Sequence, residues 1–570
     1  MSGSTRFKEL IALAILLTTL GACGGPPQTA RPNIIVVLTD DQGYGDVGIH
    51  GNDKIRTPNL DQFAREGVEL TRFYVSPVCA PTRASLMTGR YYYRSGVIHT
   101  SRGGAKMHGD EVTIAERLGA AGYRTGIFGK WHLGDNYPMR PMDQGFEESL
   151  VHKAGGIDQN PNPDTNDYFD DVVLRNGNET APEGYCTDVF FDAALDFIAA
   201  KDERPFFVYL PTNAPHTPLF VADDYWKPYA DEGLDETTAR VYGMVENIDD
   251  NIGRLLAALD ESGQRDNTLV VFMSDNGPQH TRYTAGLRGR KAMSYEGGIR
   301  ALSFWQWPSK WESPRRESRI AAHIDVAPTL LAAAGVAESG PVFDGTNLMP
   351  LLDGADDWPE RKLFFQCHRG LTPMLYQNAA VETERYKLVM SPETFSDEAF
   401  TYDGEPAMAL YDIVADPGEQ QDLSAALPEV LADLRSSYEA WYEDVRSTRN
   451  FSPGVIHLGA EAENPALLSR YQDSTYVDGK PTRWLVDIER AGRYRFHVRA
   501  ERTAVEEMHL VVNGAETVGE LGAGSTEAEF ELPGGPAGID VWVQAAGEAR
   551  QLTIENNREG NVTVEYLGPL

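Results

Sequence analysis

Cysteine is scarce: four residues in 570 are too few for a fold stapled by disulfides. Basic side chains are also short. The 51 Lys and Arg stand against 85 Asp and Glu, a net charge of −34. That balance excludes nonspecific nucleic-acid binding, which needs a basic surface. It also repels an anionic substrate at long range, so a site for one must be locally positive. No apolar run is long enough to span a bilayer; Leu10 to Leu20 falls short. No fixed-period repeat or low-complexity tract occurs, which excludes a solenoid. What is present is a globular composition, 41% hydrophobic and 24% charged, on a chain long enough for several domains.

The apolar run Leu10 to Leu20 follows a basic start at Arg6 and Lys8 and reads as an export signal. It ends in Leu20-Gly-Ala-Cys23, which resembles a bacterial lipobox. The resemblance implies a signal at residues 1–23 and lipid on the sulfur and new amino end of Cys23. The protein is then expected to be exported, as a periplasmic or cell-surface lipoprotein that meets the membrane only through its anchor. Residues 24–31, rich in Pro and Gly, form the tether. Cys186 and Cys367 could pair in an oxidising compartment.

Asn33 to Thr39 is a continuous apolar run of strand length, suited to a parallel strand covered on both faces. It ends in Asp40-Asp41. Two adjacent carboxylates there are costly unless a cation binds them. Tyr123 to His132, Arg204 to Leu210 and Asn267 to Ser274 also read as strands. Each runs into polar residues: Lys130-Trp-His132, Ala-Pro-His216 and Asp275-Asn276. Helical patterns lie between them, at Thr57–Gly67, Val112–Gly122, Ala239–Leu259 and Asp325–Gly335. In Ala239–Leu259 the acids Glu246, Asp249 and Asp250 read as a solvated face. The alternation predicts an α/β fold with a mostly parallel sheet sandwiched by helices. Ligands of such sheets gather beyond the carboxyl ends of the strands.

Cys79-Ala-Pro81-Thr-Arg83 continues to Gly89-Arg90. Pro81 suits a first helical residue and Gly89 a left-handed helix end. Cys79 then stands at a helix mouth, with Arg83 one turn on and able to reach back. A thiol beside a helix N-terminus and a fixed cation is a reactive group. This stretch closely resembles the signature of the formylglycine-dependent sulfatases of the alkaline phosphatase superfamily. The four strand ends resemble motifs of the same family, with Lys291 downstream. The resemblance covers about residues 32 to 445.

The resemblance implies a sulfuric ester hydrolase. In that family the cysteine, here Cys79, is oxidised by a maturation enzyme to Cα-formylglycine, whose hydrated form attacks the sulfur of a sulfate ester. Asp40, Asp41, Asp275 and Asn276 offer only oxygen ligands, a set for calcium or magnesium rather than zinc. The resemblance favours calcium and adds the modified Cys79 as a ligand. It further implies that Arg83 braces the formylglycine and that Lys130 and Lys291 grip the sulfate. His132 accepts a proton from the gem-diol as the aldehyde is regenerated, and His216 serves the leaving-group side. His152, Lys153 and His280 read as surface loop residues near the rim. Export and a possible carbohydrate-binding appendage point to a sulfated glycan. A phosphoester or phosphonate hydrolase of the same superfamily is the alternative. A binding protein on a dead catalytic fold finds no support in so intact a motif set.

The boundaries expected are a catalytic domain at 32–357, a small α+β subdomain at 358–450 and an all-β sandwich at 455–570. Glu384 to Met390 alternates like a strand, the stretch from Leu410 resembles the family's C-terminal subdomain, and Leu427 to Val445 is placed on its helix. Beyond Pro453-Gly454, short period-two strands separated by turns mark an antiparallel sandwich, up to Leu552–Ile554 and Val562–Tyr566. Every residue given a chemical role precedes residue 300, so the sandwich is expected to be dispensable for the chemistry.

Overall fold

The computed structural model describes residues 31–569, except 312–313, 371, 397–399, 401–403, 478–479, 499–504, 521–525, 546–547 and 551–560. The leader with Cys23, the tether up to residue 30 and the strand expected at 552–554 lie outside the described residues.

Five parallel strands form the centre of a ten-stranded sheet, in the spatial order Thr268–Ser274, Asn33–Thr39, Phe206–Pro211, Arg124–Lys130, Glu148–His152. Ser303–Gln306 pairs antiparallel on one side, and the Val173–Arg175 and Asn178–Thr180 hairpin continues the other. The first strand shows why the run is apolar throughout. Ile34, Val36 and Leu38 point into one core, and Ile35 and Val37 into another, all with no exposure. Burial of each such side chain contributes about 1.5–3 kcal/mol. On the first face lie the helices Cys79–Thr88, Ile114–Ala120 and Val326–Ala333. On the second lie Pro58–Glu66, Cys186–Ala199 and Glu236–Glu261. Parallel pairing brings the carboxyl ends of the five strands to one edge, and the site forms there.

The long helix corrects one expectation. Asp249 has no exposure and does not face water. Its carboxylate accepts from Leu60 N at 2.7 Å and from Asn59 N at 3.1 Å, closing the open N-terminus of Pro58–Glu66. Thr57, at the N-cap position of that helix, makes no side-chain cap bond. Burial pushes the Asp249 carboxyl up, to about 6.

Four antiparallel strands, Leu363–Gln366, Ala379–Glu382, Tyr386–Met390 and Met408–Asp412, form a second sheet under the helix Pro428–Arg449. Lys387 ties it to the main body through Glu296 at 2.9 Å, and pairs on its own side with Glu419 at 3.0 Å. From Ile456 onward two further sheets stack around Trp484, Tyr494, Phe496, Leu510 and Ile539. Pairing there is antiparallel, apart from Ile456–Leu458, which runs parallel to Lys480–Ile488. Met139 of the main body belongs to the same apolar cluster. Cys186 and Cys367 are both buried and unpaired.

Asp249→Ala removes the remote cap and should lower stability by about 1–2 kcal/mol in urea unfolding. An unchanged midpoint would show that the buried carboxylate does not hold the helix end.

Candidate active site

The helix Cys79–Thr88 begins at Cys79 itself, with Pro81 as its third residue rather than its first. Gly89 closes it at φ 68°, donating its N–H to Ser85 O. All ten helical residues are buried, because the helix lies between the sheet and the helix Val326–Ala333. The mouth of this helix is therefore closed off from water, and Cys79 with it. Burial raises its pKa, Lys130 and Lys291 oppose this, and the Asp40 and Asp275 charges add to the rise.

Around Cys79 three carboxylates meet three cations. Asp40 receives a short hydrogen bond from Lys130, and Arg83 Nη2 lies 3.8 Å from it. Asp275 takes both Nε and Nη2 of Arg83, at 3.2 and 2.8 Å. Arg83 also donates to Lys130 O at 2.8 Å, so its hydrogen bonds brace the site's acids and backbone. Asp41 pairs with Lys291 at 2.6 Å and accepts from Asn276 Nδ2 at 2.7 Å. Asp41 sits at φ 64°, a left-handed conformation uncommon for a non-glycine residue. Its N–H donates to Asp275 Oδ1, and its carbonyl accepts from Arg282 Nη2 at 3.0 Å. Arg282 is locked in turn onto Asp46 at 2.8 Å.

Burial disfavours ionisation of Asp40, but Lys130, His216, Arg83 and Lys291 outweigh it and hold that carboxyl well below the usual range. Asp275 goes the other way. Burial and the Asp40 charge push it up, to about 7, against Arg83 and Lys130. A carboxylate held this near its protonation point is poised for a further positive charge.

The residues present fit a hard divalent cation. Ligand atoms of Asp40, Cys79 and Asp275 lie within 4.8 Å of one another, as do those of Asp40, Asp41 and His216. Asp40 Oδ1 and Asn276 Oδ1 are buried acceptors without a hydrogen-bond partner, a costly condition that a cation relieves. The geometry adds one nitrogen, on His216, beside the oxygen set expected from the sequence.

The two histidines flank this cluster. His132, at φ 60°, contacts Thr100 O through Nε2 at 2.7 Å, which we assign as Nε2–H donating. Nδ1 is then a bare buried acceptor. Burial, and then Lys130, hold this ring neutral, well below the usual histidine range. Gly155 packs on it: a Cβ there would stand 2.5 Å from His132 Cε1 and Nε2. His216 follows Pro215, and its Nδ1 lies 2.6 Å from Thr217 O. Its Nε2 is 3.9 Å from Asp41 Oδ2. Burial and Lys291 lower its pKa. Cys79, His132, His216 and Lys291 line one cavity of about 360 Å³, together with Thr100, Gln159, Arg290, Arg369, Phe395 and Tyr471.

Three features were not legible from the sequence. His152 is 1% exposed and stands opposite Lys130 on the neighbouring strand, not on a surface loop. Its strand, Glu148–His152, is too short to read from its pattern. Arg282 bears no motif. Tyr471 brings the C-terminal sheets into the cavity, against the expectation that they stand apart from the site. Lys153 and His280 do not line the cavity.

Opposed carboxylates and cations thus lie at the carboxyl edge of a helix-covered parallel sheet, an architecture of the alkaline phosphatase type. The phosphonate monoester hydrolase of Agrobacterium radiobacter shares that fold, at TM-score 0.52 and 19% identity. Residues 32–336 match the sulfatase family, and residues 289–440 match the C-terminal part of N-sulphoglucosamine sulphohydrolase. Human arylsulfatase A is 31% identical over 512 residues, covering 79% of this chain and 94% of that protein. N-acetylgalactosamine-6-sulfatase of the dog, Canis lupus familiaris, is 32% identical over 484 residues, covering 76% of this chain and 89% of its own. The crystal structure of Ps i-CgsB in complex with k-i-k-neocarrahexaose superposes with TM-score 0.63 at 30% identity, covering 74% of this chain and 94% of that one. The chain belongs to the sulfatase family and is a sulfuric ester hydrolase.

Gly155→Ala should displace the His132 ring and lower kcat on an aryl sulfate about tenfold or more, with unfolding little changed. Unaltered kcat in a folded variant would remove His132 from the chemistry.

Proposed function

We propose that this sulfatase releases sulfate from a sulfated glycan, with Cys79 converted to formylglycine and a divalent cation, calcium before magnesium, held by Asp40, Asp41, Asp275 and Asn276. The observation that carries the reading is the convergence of Cys79 with Asp40 and Asp275 within 4.8 Å, at the floor of a cavity that Lys291, His132 and His216 line. When present, the cation supplies charge for a sulfate oxygen and the hydrated aldehyde supplies the nucleophilic oxygen.

The chain's own residues do the rest. Lys130 and Lys291 are paired with Asp40 and Asp41. A divalent charge on those carboxylates leaves both ammonium groups to an anionic substrate and to the charge that grows in its transition state. Arg83 keeps Asp275 oriented and opposes the rise in its pKa. His132 accepts a proton at Nδ1, where its low pKa keeps a lone pair available. His216 needs a proton at Nε2 to serve the departing oxygen. An incoming sulfate offsets Lys291 there and favours that protonated form.

The glycan is supported by relatives named for or crystallised with sugars, and by a cavity whose size suits a sugar ring. The leader and Cys23 support export and lipid anchoring, which would place a maturation enzyme on the route before secretion. Among the described residues no helix is long and apolar enough to cross a membrane.

Peptide mass spectrometry of active protein should find Cys79 as formylglycine, and Cys79→Ala should lower kcat about 10³-fold or more. Fully active protein carrying only the thiol would contradict the mechanism. Chelation should stop turnover, with calcium restoring it better than zinc; a metal-free sample of full activity would refute the cation assignment.

A further inference from the structure

The mouth of the cavity differs from its floor in one respect. On the floor every cation has a carboxylate partner. Nearer the solvent, at what we call the mouth, stand Arg290, exposed, and Arg369, half-buried, and among the described residues neither forms an ion pair. Arg290 Nη1 donates to Gln279 O at 3.1 Å. The Arg369 guanidinium lies 5.7 Å from the centre of the Phe395 ring, and its Nε is buried without a hydrogen-bond partner. With 85 acidic residues in the chain, two arginines left without one at the same opening need a reason. Arg290 also precedes Lys291, so one loop carries a cation for the floor and a cation for the mouth.

The third contributor is Tyr471. It comes from a loop of the C-terminal sheets that is fixed at both ends. Ser469, Arg470, Gln472, Asp473 and Ser474 are each at most 3% exposed. Tyr471 O accepts from Arg102 N at 3.0 Å, and Gln472 O from Gly103 N at 2.8 Å. Lys106 Nζ donates to Asp473 O at 3.1 Å. Ser469 Oγ bonds Asn160 Oδ1 at 2.8 Å. Within this clamped loop Tyr471 alone is half-buried, and it lines the cavity. A residue held this firmly and left partly open is built for contact.

Resting on the reading above, we propose that the mouth is a second anion subsite, made by all three parts of the chain, which selects substrates carrying a further sulfate or carboxylate. Arginine forks match both groups in geometry and stay charged at any working pH. Tyr471 and Phe395 supply aromatic surface for the sugar that carries the group. The preferred substrate is thus at least doubly charged: one sulfate enters the floor and is cleaved, and the second anion is held at the mouth and survives.

The test is calorimetry on full-length Cys79→Ala protein in calcium buffer, so that binding is read without turnover. The probes are galactose 6-sulfate and galactose 2,6-, 3,6- and 4,6-disulfate. At least one disulfate should bind tenfold or more tightly than the monosulfate. Arg290→Ala and Arg369→Ala should each remove most of that preference, while Tyr471→Ala should weaken mono- and disulfate together, about fivefold. Thermal unfolding of each variant confirms that it is folded. The proposal is overturned if no disulfate is preferred, if none of the sugars binds, or if the preference survives both arginine variants. Failure of the sulfatase mechanism itself would show separately, as a wild-type enzyme inert on 4-nitrophenyl sulfate.

Discussion

Everything at the site depends on a balance of buried charge. Asp40, Asp275, Arg83 and Lys130 are entirely out of water and Asp41 nearly so, while Lys291 is half-buried at the cavity wall. Transfer of each such ion from water costs several kcal/mol, which only opposite charges at hydrogen-bond distance can offset. Removing one member leaves its partner buried and unpaired, at about 3–5 kcal/mol. The parallel sheet makes the arrangement possible. Its strands end at one edge, where Asn33–Thr39 delivers Asp40 and Asp41, Arg124–Lys130 delivers Lys130 and Thr268–Ser274 delivers Asp275. The same balance explains the split between Asp40, held ionised, and Asp275, pushed up to about 7. Three cations already balance three acids, so an added divalent charge would compete with the lysines for the carboxylates and release them to an anion.

Much of this was legible in the sequence, because the features involved are local. Ile34 to Leu38 is apolar at every position, so a covered parallel strand was the natural reading, and Asp40 and Asp41 followed directly from it. The same holds for Lys130, His132, His216, Asp275 and Asn276, each within a few residues of a recognisable strand. What escaped depends on distance along the chain. Asp249 looked like a solvated acid by helical position, yet it caps a helix 190 residues earlier. Arg282 holds Asp41 across 241 positions. The acidity that a helix mouth lends the Cys79 thiol is opposed by a feature no local pattern shows. A helix mouth favours a thiolate, but complete burial beside two carboxylates disfavours it more.

The third part of the chain shows the same limit. Alternating strands beyond residue 455 announce a core of their own, and one is present around Trp484. Alternation carries no sign of the loop 469–474, which leaves that core to meet Arg102, Gly103 and Lys106. Gln472 Nε2 also reaches Thr100 O at 3.4 Å, the carbonyl that orients His132. The C-terminal sheets therefore touch both the wall of the cavity and the carbonyl that steadies its base.

The central claim is that carboxylates and lysines trade partners when a cation arrives. The most direct test is the affinity of inorganic sulfate for Cys79→Ala protein, measured by calorimetry with and without saturating calcium. Linkage requires each ligand to change the other's affinity by the same factor. The account predicts sulfate binding at least tenfold tighter with calcium, and lost in Lys291→Ala. Equal sulfate affinity in both states would contradict it.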